Sequence, residues 1–508
     1  MRYFHCFSPI SAVAEFESRK SPWRSIWLCN TLQFLNGIQF SIFFTSMLPY
    51  LRAVVFPLGQ TIAAFMFGVW NQKTKSAKHP VAVGVVLMGL GNFIYGTLPV
   101  YEFGYKWIML LARFIVGLGA GNVSVLRTYV ACASTPKDKM KALSLGIGMF
   151  VFGFSMGPAV MLIFTPLGKD GFRLGWIQVT MYNLPAFAMV IIAVISLLLL
   201  FTCFEEEYAG ILNGGHKNSN GVSKVALSGS LSSVIVPKFD KVAASICIGV
   251  WFVQQCIGTN VEVLMVPMTM AMYNWNSEQA IFYNGIIILV SAGFSSAVYL
   301  IMGCTRIGKK DKRLLIGFGI IVFMLHHLLL IPWPFYSGPL DYTPLGCNNL
   351  MISSSAAVGN STDLNLFGGC LRTYEWCSYT TRVPLVVYVF ASVILMGTAF
   401  PTIGASGGTL FAEVIGPRNQ FYDRMIHFQG FMQGVFAFFG SVGRFVGPLF
   451  STYLFENGGY LPPVVVLLGM LASALTAVVI FRRRLVPLRL TPKIGLATPY
   501  KNGIFYRL

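Results

Sequence analysis

The chain has 508 residues, of which 55% are apolar, 14% are aromatic and only 11% are charged. Soluble proteins carry roughly a quarter charged residues, so a soluble fold of this size would lack the polar surface that it needs. The composition indicates a membrane protein and excludes a secreted disulfide scaffold, a disordered regulator and an ordinary cytosolic enzyme.

The 37 Lys and Arg residues give a net charge of +19, which raises the question of nucleic-acid binding. They lie between apolar segments and not in one stripe, so we interpret them as basic loops that face an anionic lipid surface and expect no nucleic-acid partner. The ten Cys residues show neither a CxxC pair nor the His–Cys spacing of a zinc site. We therefore predict no metal ion and no cofactor.

Apolar segments of about 20 residues, the length that crosses a bilayer, recur along the chain. Twelve such spans lie near 25–47, 53–70, 80–100, 107–131, 142–165, 181–203, 242–266, 281–303, 314–333, 383–402, 428–451 and 461–481. The second is the shortest. Most Lys and Arg residues fall on the side that carries both termini, so the positive-inside rule places both termini in the cytosol.

The spans form two groups of six. We predict a cytosolic N-terminus (1–24), a first six-helix bundle (25–203), a cytosolic linker (204–241), a second six-helix bundle (242–481) with a lumenal loop (334–382), and a cytosolic tail (482–508). The linker is rich in Gly, Ser and Asn, which is typical of a flexible connection. The expected fold is therefore an all-α multi-pass membrane protein.

The predicted lumenal loop carries candidate sites for glycosylation and for a disulfide bond. A glycosylation sequon begins at Asn360 in a polar stretch, so we expect a glycan there. Cys347, Cys370 and Cys377 allow one intrachain disulfide and leave one thiol over. Their spacing does not decide which two form the pair.

A G-x-x-x-G-P motif occurs in both halves of the chain. It falls in the fifth and eleventh spans, at Gly153, Gly157 and Pro158 and at Gly443, Gly447 and Pro448. Small residues four apart let helices approach closely, and proline permits a bend. Because the motif occupies the fifth span of each group of six, it indicates a duplicated transporter.

The fourth span contains Arg113 followed by three glycines, Gly117, Gly119 and Gly121. This pattern and the repeated G-x-x-x-G-P motif resemble the fourth and fifth helices of the major facilitator superfamily. Several longer strings resemble its lysosomal branch that is linked to neuronal ceroid lipofuscinosis: FSIFFTSMLPYL (40–51), ARFIVGLGAGNVSVLRTYVA (112–131), PMTMAMYNWNSEQAIFYNGIII (267–288), Trp376-Cys377 and GRFVGPLF (443–450).

The resemblance covers nearly the whole chain and implies the major facilitator fold, an endolysosomal membrane and a chloride conductance. The sequence departs from the superfamily in the loop after the second span, where GVWNQK lacks the acidic residue of the usual G-x-x-x-D-R signature. The charge network that normally closes the cytosolic side is therefore not expected in that loop.

Ionisable residues inside a span are costly, about 2.5–3.5 kcal/mol each, and are candidates for function. Glu262 is the best candidate for proton coupling or substrate contact, with a neutral acid bonded to a neighbouring helix as the alternative. Arg113 ranks first among the cations, as a site for an anion or a partner of Glu262, although it could instead bind helix carbonyls. Arg444 ranks next. Arg127 ranks last because it lies near a helix end, where it can snorkel.

Amides in the first and seventh spans could line a polar pathway between the halves or connect helices. They are Gln33, Gln39, Gln254, Gln255 and Asn260. His326 and His327 are adjacent and point about 100° apart on a helix, so we discount a metal site there.

We therefore predict an endolysosomal secondary transporter that moves a small, anionic solute by alternating access, with Glu262 a candidate for proton coupling. The alternatives are an anion channel on the same scaffold and a membrane scaffold without transport activity. No nucleophile elbow on a strand-to-helix turn, no phosphate loop and no HExxH motif is found, so no enzyme is expected. The expected partners are the lipid bilayer and a small solute or ion, and we favour a monomer.

Overall fold

The computed structural model describes residues 18–42, 49–74, 76–101, 104–164, 172–174, 177–180, 183–210, 239–343, 368–371, 373–416, 429–488, 500–501 and 504–505. These residues form long helices and a few very short strands, which confirms the expected all-α membrane fold. Within them, ten helical segments are long and apolar enough to cross a bilayer. Two further helices, the first and second, complete the twelve spans.

The first half consists of six spans. Its helices are α1 (Trp23–Ser41), α2 (Pro49–Thr74), α3 (Lys78–Gly96), α4 (Tyr105–Ala120), α5 (Asn122–Ala133), α6 (Lys139–Phe164) and α7 (Leu184–Cys203). The fourth span is divided at Gly121 into α4 and α5. A 3-10 turn (Leu98–Val100) follows α3, and β1 (Phe172–Leu174) pairs antiparallel with β2 (Ile177–Val179).

The second half repeats this arrangement. Its helices are α8 (Lys241–Tyr273), α9 (Ser277–Cys304), α10 (Lys312–Leu329), α11 (Leu385–Phe390), α12 (Met396–Ile415), α13 (Gln429–Gly458) and α14 (Leu461–Ile480). A π-helical segment (Ala391–Leu395) joins α11 and α12 into the tenth span. Two 3-10 turns (Arg306–Lys309 and Glu375–Ser378) lie in loops, and β3 (Tyr500–Lys501) pairs with β4 (Ile504–Phe505).

One face of the bundle gathers the ends of both halves. There Ser25 donates to the backbone oxygen of Glu205 at 2.8 Å, and Arg484 Nε donates to Asp240 Oδ2 at 2.8 Å. Asp240 also caps α8 by accepting from the backbone of Val242. The start of α1, the end of α7, the start of α8 and the end of α14 therefore share this face, which we call the terminal face. The other end of the bundle is the opposite face.

The repeated glycine motifs pack the same pair of helices in each half. A Cβ atom at Gly153 of α6 would overlap the backbone oxygen of Phe34 in α1. A Cβ atom at Gly443 of α13 would lie 2.7 Å from the backbone oxygen of Phe252 in α8. The fifth span thus packs on the first, and the eleventh on the seventh, as a duplicated fold requires.

The other motif residues support close contacts in the same way. Gly157 and Gly447 lie one turn further along α6 and α13, where a Cβ atom would meet Ser41 and Cys256, respectively. Pro158 and Pro448 follow them within the same helices. In the fourth span, a Cβ atom at Gly117 or Gly121 would meet α2, and a Cβ atom at Gly119 would meet α3.

Several helices extend beyond the apolar spans predicted from the sequence. The second helix runs over Pro49–Thr74, so it is not short, and the seventh and tenth spans continue to Tyr273 and Ile415. In the extension of the tenth span, the polar side chains face protein. Ser406 and Thr409, for example, are fully buried. Protein contacts, and not lipid, therefore stabilise the end of that helix.

The two halves are packed together between the bundle centre and the terminal face. Thr409 of α12 donates a hydrogen bond to the sulfur of Met140 in α6 at 3.1 Å. Tyr299 of α9 packs directly on Gly148 of α6, and α13 packs along α2. The structure is therefore closed at the terminal face.

Candidate functional site

A cavity of about 130 Å³ lies between the two halves. The first half contributes α1, α5 and α6, and the second contributes α8, α9, the α11–α12 span and α13. Its ionisable lining residues are Arg127, Glu262 and Arg444. Since both halves contribute to its wall, a relative movement of the halves would change access to it.

Arg444 of α13 connects the halves. Its Nε donates to Gln255 Oε1 of α8 at 2.7 Å, and its Nη1 lies 3.4 Å from Gln60 Oε1 of α2. It also attracts Glu262 electrostatically, and its guanidinium lies 5.8 Å from the ring centre of Phe40. The guanidinium is thus oriented by two amides while it faces the only carboxylate among the lining residues of this cavity.

Arg127 of α5 approaches from the first half. Its guanidinium carbon lies 5.6 Å from the ring centre of Phe150 and 5.7 Å from that of Trp251. At such distances an aromatic face attracts a cation. Its buried Nε forms no hydrogen bond with any residue in the described part of the chain. Arg127 and Arg444 are also close enough to repel each other electrostatically.

The uncharged lining gives the cavity little further polarity. Ser291 and Ser295 of α9 donate to the backbone oxygens of Ser392 and Gly397, at 2.8 and 3.2 Å. Thr259 donates to a backbone oxygen of its own helix at 3.0 Å. Because these three hydroxyl hydrogens are already used, the guanidinium groups are the charged donors that the cavity can offer a solute, besides the neutral groups of Ser392 and Gln255.

Arg113, the cation ranked first from the sequence, does not line this cavity. It is buried in the first half, with its guanidinium carbon 4.4 Å from the ring centre of Tyr95 in α3. The structure therefore brings Glu262 together with Arg444 and not with Arg113. Arg127, ranked last, lies in the cavity wall and does not snorkel to the terminal face.

Most of the predicted amides connect helices. Gln39 of α1 and Asn92 of α3 exchange two hydrogen bonds, of 3.1 and 2.9 Å. Asn260 accepts from Ser451 of α13, and Gln33 packs on α6 at Gly146.

In the second half, Gln254 donates to the backbone oxygen of Phe400 at 2.7 Å. Of the five predicted amides, only Gln255 lines the cavity.

Two contributors were missed in the sequence. Gln60 orients Arg444, and a polar amide within the shortest predicted span was the signal that could have identified it. Trp251 forms part of the cavity wall and is held by stacking on Phe436, at 4.9 Å between ring centres. No sequence pattern distinguished this tryptophan from the other apolar residues of the seventh span.

The two histidines are buried in the second half. Nδ1 of His326 lies 3.0 Å from the backbone oxygen of Ala391, and Nδ1 of His327 lies 3.0 Å from that of Phe323. Neither lines the cavity between the halves. Among the described residues, no group of three or more His, Cys, Asp or Glu side chains could hold a metal ion.

The opposite face carries a disulfide between Cys370 and Cys377. Both residues are buried, next to Trp376, which packs on Phe455 of α13 with 5.3 Å between ring centres. The pairing left open by the sequence is thereby resolved within this structure. Cys347 and the sequon at Asn360 lie outside the described residues.

Known proteins share this sequence and this fold. The family model for the Major Facilitator Superfamily matches residues 31–362. The chain is 28% identical over 491 residues to major facilitator superfamily domain-containing protein 8 of Xenopus laevis, covering 92% of each protein.

Two solved structures show the same fold at low sequence identity. The human organic anion transporter MFSD10 superposes with a TM-score of 0.61 at 13% identity, over 90% of this chain and 100% of that one. The proton:xylose symporter XylE superposes with a TM-score of 0.59 at 13% identity, over 92% of this chain and 97% of that one.

The matched region covers more than half of the chain. The twelve spans, the motif repeated in both halves and the cavity between those halves agree with this match. The chain belongs to the major facilitator superfamily of membrane transporters.

Proposed function

We propose that this chain is a secondary transporter of a small anionic solute that works by alternating access between its two halves. The observation that carries the proposal is the convergence of Arg127, from the first half, and Arg444, from the second, on one cavity. Guanidinium groups stay charged at every physiological pH and bind carboxylates or phosphates well. An anion held by both would interact with both halves of the transporter.

The fold comparison agrees with an anionic solute. MFSD10, which shares the fold, is an organic anion transporter by its name. The closed terminal face agrees with alternating access, in which the cavity opens to one side at a time. Membership in a transporter family likewise favours transport over a scaffold role.

Proton coupling through Glu262 is part of the proposal. Glu262 attracts Arg444, so the carboxylate competes with a solute anion for that guanidinium. Protonation of Glu262 would remove the competitor and strengthen anion binding. A proton and an anion would then bind together, which describes a proton–anion symporter.

The proposed setting is the endolysosomal membrane, supported by the resemblance to the lysosomal branch of the family. The terminal face would be cytosolic and the opposite face lumenal, in agreement with the positive-inside distribution of charge. The proposed modification is a glycan at Asn360, and the proposed functional unit is a monomer.

Transport assays on the purified full-length chain in liposomes test this proposal. We expect saturable uptake of acetate or benzoate that depends on a pH gradient. Arg127→Gln and Arg444→Gln should each lower the uptake rate about tenfold or more. Arg306→Gln, an exposed change near the terminal face, serves as the matched control and should leave uptake unchanged.

Three results would contradict the proposal. A chloride current that is linear in voltage and indifferent to the pH gradient would support a channel. Correctly inserted protein that carries no tested anion would support a scaffold. Equal uptake of benzoate by the control and by both arginine variants would show that the cavity does not bind the anion.

A further inference from the structure

We infer that the cavity between the halves selects a monovalent organic anion with a flat, apolar body, and not a halide ion or a small dianion. This inference rests on the proposed function and deepens it by naming the class of solute. It follows from the charge of the cavity, from the use of its polar groups, from its aromatic walls and from its volume.

At a pH where Glu262 is ionised, the charge of the cavity favours one negative charge on the solute. Two guanidinium groups and one carboxylate face it, so its net charge is +1 when Glu262 is ionised. Glu262 already attracts Arg444. The excess positive charge is therefore that of Arg127, whose buried Nε has no hydrogen-bond acceptor among the described residues.

Most hydroxyl groups of the wall are already used in hydrogen bonds, so the charged donors of the cavity are its two guanidinium groups. The hydroxyls of Thr259, Ser291 and Ser295 donate to backbone oxygens. Gln255 offers its side-chain oxygen to Arg444. A solute carboxylate thus finds its strongest donors at the guanidinium end of the cavity, next to Arg127.

Aromatic rings flank that same end. Phe150 of α6 and Trp251 of α8 lie on Arg127 from opposite halves. Trp251 is only 5% exposed and stacks on Phe436, so its ring is fixed before a solute arrives. A flat apolar group attached to the anion can pack on these rings, because offset and edge contacts between rings are favourable.

The remaining wall and the volume fit such a body. Apolar side chains make up most of the other lining, including Val151, Met265, Ile288 and Phe400. The volume of about 130 Å³ exceeds that of a single water, which occupies about 30 Å³ in the liquid. A halide would leave most of this apolar wall without a partner, whereas a ring would cover it.

Calorimetric titration of the full-length chain in lipid nanodiscs tests this inference. The probes are benzoate, acetate, chloride, the dianion terephthalate, neutral benzamide and the cation benzylamine. We expect benzoate to bind with a Kd below about 1 mM and at least about tenfold tighter than each of the others. Trp251→Ala should reduce benzoate binding to the level of acetate and leave acetate binding unchanged.

A second variant guards against misfolding. Because Trp251 packs on Phe436, its removal could disturb α8, so Phe150→Leu is tested in parallel and should weaken benzoate binding several-fold while sparing acetate. Arg306→Gln is again the control, with binding as in the unchanged chain.

The outcomes separate this inference from the proposed function. If acetate or chloride binds as tightly as benzoate, or if terephthalate does, the inference is wrong but anion transport stands. If benzamide or benzylamine binds as tightly as benzoate, the cavity is not an anion-binding site and the proposed function is wrong as well. If no probe binds with a Kd below about 1 mM, the inference is also overturned.

Discussion

Glu262 of α8 and Arg444 of α13 form the pair of opposite charges in the cavity between the halves. Gln255, one helical turn before Thr259 and on the same helix as Glu262, accepts from Arg444 at 2.7 Å and fixes the guanidinium beside the carboxylate. The pair therefore links the protonation of Glu262 to the availability of Arg444 for a solute anion.

This link predicts how anion binding depends on pH. As the pH falls and Glu262 takes up a proton, Arg444 loses its competitor, so benzoate should bind more tightly in acid. Glu262→Gln mimics the protonated state, and we expect it to bind benzoate about three- to tenfold more tightly at neutral pH, a coupling of about 1 kcal/mol. Titrations at several pH values measure this.

The Gln variant should also lose the pH dependence of binding and the dependence of uptake on a pH gradient. Glu278→Gln, an exposed change at the start of α9, is the control and should behave as the unchanged chain. The same pH dependence in Glu262→Gln as in the unchanged chain would exclude Glu262 as the coupling residue.

A second set of charges joins the halves at the terminal face. Glu413 of α12 pairs with Lys312 at 3.1 Å, and it attracts Lys139 of α6, which is only 4% exposed. Its second oxygen is buried without a hydrogen bond to any residue that the structure describes. Glu413 thus holds a cation from each half, in a chain whose loop after the second span lacks the usual acidic residue.

Removing this charge should weaken closure of the terminal face. Glu413→Gln leaves Lys139 buried without its countercharge, which disfavours the closed state by an amount on the order of 1–3 kcal/mol. A cysteine placed at Ser144, which is fully buried here, should then react about tenfold faster with a membrane-impermeant maleimide. An unchanged labelling rate would show that these charges do not control closure.

Helix packing predicts that a glycine-to-alanine change destabilises the protein within the repeated motif but stabilises it where the glycine has open space around it. Gly153→Ala places a Cβ atom on the Phe34 backbone, so we expect a loss of about 2 kcal/mol or more in stability. Gly469→Ala in α14 meets no atom within 4 Å and should stabilise that helix by about 0.5–1 kcal/mol. Thermal unfolding in detergent compares the two. Equal shifts would mean that the close approach is not needed.

The disulfide predicts a measurable contribution from the opposite face. Cys370 and Cys377 enclose a short loop, and a cross-link of that length restricts the unfolded chain by about 2–3 kcal/mol. Cys377→Ser should therefore lower the unfolding temperature, and Cys304→Ser, an exposed free thiol, is the control. Equal unfolding temperatures for the two variants would contradict a stabilising role.

The twelve-helix fold could be predicted because each helix carries its own signal, a long apolar run. The duplicated motif likewise identified the fifth and eleventh spans as helices that pack closely on a neighbour. Glu262 and Arg444 could be identified because a charge within an apolar run is costly in any arrangement.

The ranking of Arg113 and Arg127 could not be predicted, since it depends on contacts between distant segments. Both arginines lie in the fourth span, but only Arg127 meets Trp251, which belongs to the other half of the chain. The position of Arg127 near a helix end suggested snorkelling, whereas the closed terminal face encloses its side chain. Gln60 was missed for the same reason, because its partner Arg444 lies in the eleventh span.

The most direct test of the anion site is a double-mutant cycle of benzoate binding with Arg127→Gln, Arg444→Gln and the double variant. If both guanidinium groups bind one anion, each single change should weaken binding about tenfold or more, and the two effects should fail to add by at least about 0.5 kcal/mol. Benzoate affinity that is unchanged in both single variants would contradict an anion site between the two halves.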